Sequence, residues 1–164
     1  VSGTATRLAA QRATATEIQR LHDSVARLGS ATDAVEHRRI EGRLFIDVAA
    51  IAQSVRLTRL EIDLQAELGQ LLWGTDLSRA DQELATHRHE RVVQAIADRR
   101  GDAARQLTEE HIASTTSRLI ALHVRLTRGT IAAGGESVSS RQPADGDAET
   151  ASPHDRAAAP EDGR

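Results

Sequence analysis

The 164-residue sequence predicts an all-α fold, an antiparallel bundle of about six helices, on three observations. Its aliphatic residues recur at helical rather than strand spacing. Capping signals divide the chain into segments of helix length. A single Trp73 and a single Phe45 leave Leu, Ile, Val and Ala to supply nearly all the buried area, in a chain long enough for one domain with its own core.

The elements follow in order from their caps. Thr14 with Glu17, Ser30 with Asp33, and Ser78 with Asp81 have the spacing of a capping box or its Asp variant, in which a short polar side chain accepts from the first free N–H groups of a helix. Asp102 follows Gly101 at a helix-to-helix turn. The predicted helices are therefore 4–13, 15–28, 31–54, 56–72, 79–99 and 102–128. The last two read as an antiparallel hairpin folded at Arg99-Arg100-Gly101-Asp102. From Gly129 the composition changes: Gly134-Gly135, all three prolines, many small residues and an excess of acid leave too little apolar content to offset the entropy of ordering. Residues 1–128 are expected to form the domain and 129–164 a disordered tail, either a solvated extension or a segment that binds a partner.

Composition excludes several classes of function. All 21 basic residues are Arg, with no Lys, which points to a GC-rich bacterial source. No cysteine is present, so a disulfide framework and a thiolate metal site are ruled out, and any metal must use His and carboxylates. The net charge of −3 argues against a general nucleic-acid surface, which needs a clustered cationic face. There is no apolar run near the roughly 20 residues that cross a bilayer, and Val1-Ser2-Gly3-Thr4 does not open a signal peptide, so the expected location is the cytoplasm. The absence of any Met leads to the expectation that an upstream part is missing. There is no G-x-G-x-x-G, P-loop, G-x-S-x-G elbow or H-E-x-x-H helix, so no enzyme is announced.

Two histidines carry a geometric argument. His89 and His111 are each eleven positions from Arg100, so both lie about 16 Å from the hairpin turn and level with each other. His89 shares a stripe with Ala85, Val92, Val93 and Ile96, which points its ring inward. Level, inward imidazoles suit two ligands of one metal; a core histidine bonded to a carbonyl fits equally well. His87, about 200° around the helix from His89, reads as surface. His22, His37, His123 and His154 lack a comparable partner and are expected in solvated or capping roles. A third ligand is offered by Glu41, on a stripe with Phe45, Val48 and Ala52. The alternative for this acid is an ion pair with Arg38 or Arg43 at the edge of the stripe.

From Thr6 to about Leu122 the sequence resembles the FCD domain, the effector-binding bundle of the FadR branch of GntR transcription regulators. The opening Arg7-Leu8-Ala9-Ala10-Gln11-Arg12-Ala13-Thr14, then Glu17-Ile18 and Leu21, is similar to the way these domains begin after their winged helix. More specific is His89-Glu90-Arg91-Val92-Val93-Gln94-Ala95-Ile96, followed by Gly101-Asp102-Ala103-Ala104 and His111-Ile112, which matches the family's H-x-x-(I/V)-x-x-A-I…G-D…A…H pattern. In many members an Asp and a His four residues apart join these two histidines around one metal that helps hold a carboxylate metabolite. Here Glu41 stands for the Asp, and Phe45 for the His, so one ligand is lost; in the neighbouring register Ile46 would take that place. Ser54 stands near the position of a family Asn.

The resemblance implies a metal set of Glu41, His89 and His111 for Zn²⁺ or Ni²⁺, with Phe45 in the ligand pocket. It further implies a sensor for a small carboxylate metabolite, a homodimer, no membrane contact, and DNA contact only through a winged helix-turn-helix domain preceding this one. Catalysis is not expected. The rival readings are a metal-dependent enzyme on the same three residues and a structural helical dimerisation module without ligand.

Overall fold

Each predicted helix forms, in the predicted order. A computed structural model describes residues 1–71 and 78–135. It contains α1 (Ser2–Arg12), α2 (Ala15–Gly29), α3 (Ala34–Ile51), α4 (Val55–Leu71), α5 (Arg79–Ala97) and α6 (Gly101–Gly135), with no strand among the described residues. Val1–Leu122 is one unit and contains every site considered below. Within His123–Arg164, the second unit, the end of α6 is described. Among the described residues no helix is long and apolar enough to cross a membrane.

Small side chains set the packing of the core. Ala9, Ala10 and Ala13 bring α1 against Leu21 and Val25 of α2, Leu44, Val48 and Ile51 of α3, and Val92, Val93 and Ile96 of α5. A second cluster joins Ala5 to Ala49 and Ala52, flanked by Leu8 and Leu57. Each fully buried Leu, Ile or Val contributes about 1.5–3 kcal/mol, and alanines between them let helix axes approach closely enough to exclude voids.

Two predicted caps form as read. Thr14 Oγ1 accepts from Glu17 N at 3.2 Å while the Glu17 carboxylate accepts from Thr14 N at 2.7 Å, closing a reciprocal box at α2. Ser78 Oγ accepts from Asp81 N at 3.1 Å and starts α5. The cap of α3 differs from expectation. Asp33, not Ser30, fills it, accepting from Val35 N at 2.9 Å and Glu36 N at 2.8 Å, so α3 begins three residues later than expected. Ser30 instead ends α2, its N–H bonded to Ala26 O. The carboxylate reaches two orphan donors at once, which the single hydroxyl does not.

The turn between α5 and α6 falls between Ala97 and Gly101, overlapping the expected Arg99-Arg100-Gly101-Asp102. The left-handed residue is Arg99, with φ 61°, and not the nearby glycine. Arg100 N donates to Ala95 O at 2.9 Å and Arg99 N to Ile96 O at 3.0 Å, the two bonds of a Schellman motif. Gly101 serves a different need, because a Cβ there would stand 3.1 Å from the Arg7 carbonyl of α1. Asp102 lies in the first turn of α6 and pairs with Arg7 at 3.0 Å.

Arginine also closes helix ends across the fold. Arg99 donates to Ala10 O at the end of α1, Arg79 to Ala31 O just past α2, and Arg12 to Ala52 O at the end of α3. Each places a guanidinium where the helix dipole is negative and carbonyls lack intrahelical partners.

At the C-terminal end, residues 129–135 were expected to lack fixed structure and are instead helical. A lone glycine costs a helix interior about 1 kcal/mol, and Ile131-Ala132-Ala133 carry the turns onward past Gly129. The expected disorder of 136–164, and residue 72 at the predicted end of α4, lie outside the described residues.

Candidate metal and ligand site

Three helices deliver one group each to a single point. On α3, Glu41 lies on the stripe that continues through buried Leu44 and Val48. On α5, His89 lies on the stripe of buried Ala85, Val92, Val93 and Ile96. On α6, His111 follows buried Ala104 and Thr108 by seven and three residues, one helical face. The hairpin is held in register by Arg88 Nη1 donating to Ser114 Oγ at 2.7 Å and by the Arg118–Asp81 ion pair at 2.7 Å.

The level pairing of the two histidines is present in the structure. Their ring centroids are 4.4 Å apart, and both rings are 4% exposed. The two Nε2 atoms converge on one carboxylate oxygen, with Glu41 Oε1 2.8 Å from His89 and 3.0 Å from His111. Glu41 therefore does not take the alternative pairing with Arg43, which instead pairs with Asp47 at 3.0 Å. Phe45 stands beside the cluster, its ring edge-on to His89 at 5.3 Å and tilted to His111 at 6.0 Å.

Electrostatics favour a carboxylate facing neutral imidazole. Burial pushes the Glu41 carboxyl upward, but hydrogen bonds from His111 and His89 outweigh it and hold the group well below the usual carboxylate range. Burial depresses the His111 pKa, against the opposing pull of its bond to Glu41. His111 Nδ1 is buried with no hydrogen-bond partner among the described residues.

An anionic oxygen and two imidazole nitrogens, once freed of their protons, are donors that a divalent ion accepts. Ligands about 2.0–2.1 Å from zinc stand about 2.8–3.4 Å apart for angles from a right angle to tetrahedral, which spans the spacings from Glu41 to each ring. One ligating atom from each of the three residues lies within 4.8 Å of the others. The donor set thus fits an ion with one or more open positions. The orphaned His111 Nδ1 is a departure, because metal-bound histidines usually donate their second nitrogen to an acceptor that orients the ring.

The cluster borders a cavity of about 1040 Å³ between α3, α4 and α6, lined by Glu41, Phe45 and His111 among others. Its α4 wall, with Ile62, Gln65, Ala66 and Gly69 at helical spacing, was missed in the sequence although that stripe was there to be read. Ser54 is not part of the lining; it begins α4, its Oγ accepting from Leu57 N at 3.4 Å.

The remaining histidines divide. His87 is exposed and pairs with Glu90 at 3.2 Å, as expected for a surface residue. His37 departs from its expected solvated or capping role. It is buried, with Nε2 3.1 Å from Gln82 O, because α3 lies against α5 at that position. Ring placement for His123 and the position of His154 lie outside what is described.

A helical bundle with a carboxylate–imidazole cluster beside a cavity of this size has the architecture of a small-molecule-binding domain. The family model for the FCD domain matches residues 1–114, and the chain belongs to that family. A Mycobacterium gastri protein assigned as an HTH-type transcriptional regulator, RmpR, is 36% identical over 116 residues, covering 70% of this chain and 42% of the relative. E. coli McbR/YncC has the same fold, with a TM-score of 0.67 at 13% identity over 74% of this chain and 60% of that one. The chain thus spans less than two thirds of either relative's length.

Proposed function

We propose that this domain is the effector-sensing part of a GntR/FadR-type transcription regulator. In this reading Glu41, His89 and His111 hold a divalent ion, Zn²⁺ or Ni²⁺, and a small carboxylate metabolite binds beside it. The observation that carries the proposal is the convergence of both Nε2 atoms on Glu41 Oε1, at 2.8 and 3.0 Å. The ion would supply positive charge where the chain itself presents an anion, which is what lets a second carboxylate approach. Phe45 forms the wall where the family resemblance places a fourth ligand, so the ion is held more weakly than by four donors. Among the described residues lining the cavity, Glu41 and His111 are the only carboxylate and imidazole. No further acid or base is poised there for catalysis, which favours binding over an enzyme.

The proposed readout is linkage: a ligand that prefers one arrangement of the bundle shifts a cytoplasmic homodimer between DNA-competent and DNA-incompetent geometries through a winged helix preceding α1. Relationship to RmpR, an HTH-type regulator, supports that reading. Calorimetric titration with Zn²⁺ and Ni²⁺ tests the site. Uptake by the wild type, weakened by His89→Ala and tightened by Phe45→His, is the expected result. No uptake by the wild type together with uptake by Phe45→His would identify a degenerate site, and none by either would overturn the metal reading. Sedimentation as a clean monomer at high micromolar concentration would remove the dimer.

A further inference from the structure

The chemistry of the cavity wall narrows the ligand. Beyond the cluster, most of its large side chains are hydrocarbon: Phe45 and Ile46 from α3, Ile62, Leu64 and Leu68 from α4, and Ile112 from α6. Ile62 is 46% exposed and Ile112 37%, and both line this cavity. Some polar groups on the same wall, which also carries Thr115 and Thr116, are engaged elsewhere. Ser2 Oγ donates to Glu61 Oε2 at 2.8 Å, and Gln65 Nε2 to Glu61 Oε1 at 2.8 Å, so each commits a donor to a buried carboxyl. Arg43, on the α3 wall with Arg38 and Arg39, is paired with Asp47.

Volume points the same way. A cavity of about 1040 Å³ is at the upper end of the roughly 300–1,000 Å³ range of small-molecule pockets. An acid of two or three carbons bound at the cluster would leave most of the apolar wall against water, and a polar acid filling the space would set many of its hydroxyls against hydrocarbon. Phe45 extends the hydrocarbon surface up to the imidazoles.

We infer that the ligand is an amphipathic monocarboxylate, with its carboxylate at the Glu41–His111 end and a bulky hydrocarbon body along Ile46, Ile62, Leu68 and Ile112. This rests on the sensor reading above and adds the class of ligand to it. The carboxylate contributes orientation, and the body supplies most of the affinity by removing apolar surface from water.

The test is calorimetric titration of the Zn²⁺-supplemented protein with straight-chain monocarboxylates from acetate to octanoate, beside succinate and citrate. The dissociation constant should fall about fourfold for each added methylene until the cavity is filled. Ile62→Asn, at a half-exposed position that does not hold the core, should flatten that dependence, which separates this wall from unspecific adsorption. Affinity independent of chain length, or citrate and succinate binding more tightly than hexanoate, would overturn the inference while leaving the sensor reading in place. A chain-length dependence that survives Ile62→Asn unchanged would also overturn it. If no carboxylate binds at all, the sensor reading itself falls.

Discussion

Acid should destabilise this bundle through His37, well before its carboxylates titrate. The ring is 1% exposed, its Nε2 faces the Gln82 carbonyl at 3.1 Å, and its Nδ1 has no partner. Burial depresses its pKa below 6.5, outweighing the opposite pull of Glu41 and of the Gln82 carbonyl. The folded state therefore binds the proton less readily than the unfolded chain, and protonation would place an N–H at Nδ1 with no acceptor. As pH falls below about 6.5 the unfolded state takes up the proton first, and stability drops until the folded-state pKa is reached. The slope is bounded by one proton, about 1.4 kcal/mol per pH unit. Urea unfolding of chelator-treated protein from pH 8 to pH 5 measures it, with His37→Gln as the comparison, since that side chain keeps an N–H for Gln82 and cannot titrate. The difference in stability between wild type and variant should move in the variant's favour as pH falls. His111, also depressed by burial, is present in both proteins, and its contribution cancels in the difference. Parallel profiles for the two proteins across this range would refute the reasoning.

Other substitutions test the architecture by denaturation at neutral pH. Asp33→Ala should cost about 1 kcal/mol, because two N–H groups lose their acceptor, whereas Ser30→Ala should cost clearly less; equal costs would place the cap wrongly. At Arg99, Gly relieves a left-handed residue worth about 1–2 kcal/mol while losing the bond to Ala10 O, so Arg99→Gly should be nearly neutral and Arg99→Ala destabilising. The order Gly below Ala would refute the Schellman assignment. Ser2→Ala should cost about 1–3 kcal/mol by leaving fully buried Glu61 one donor short, and a neutral outcome would mean that the carboxyl finds another partner.

Legibility in the sequence followed the range over which each cause acts. Local causes were visible: the Thr14–Glu17 box and the Ser78 cap involve groups three residues apart, and both form. The level placement of His89 and His111 was also readable, because a short hairpin turns sequence distance from Arg100 into height along two helices. His37 was misread because its burial depends on where α3 crosses α5, a tertiary fact with no local signature. Gly101 was read as part of the turn. Its true constraint, the Arg7 backbone of α1, lies more than ninety residues away in sequence. Glu61 shows the same limit, since its donor Ser2 is 59 positions distant.

The state of Glu41 without metal bears on how such a site can serve as a sensor. A structural zinc site lacks any other partner for its ligands, so losing the ion leaves buried charge uncompensated and the domain unfolds. Here the carboxylate already accepts from two imidazoles, and its buried charge is compensated by hydrogen bonds that the chain provides on its own. Two hydrophobic clusters that do not include these three residues, the larger drawing on α1, α2, α3, α5 and α6, hold the bundle beside them. An ion bound there as proposed would displace two existing hydrogen bonds, which would lower its net affinity while leaving the hydrophobic clusters untouched. A domain that stays folded when empty can exchange ion and ligand reversibly, and occupancy then changes populations of arrangements instead of deciding between folded and unfolded chain.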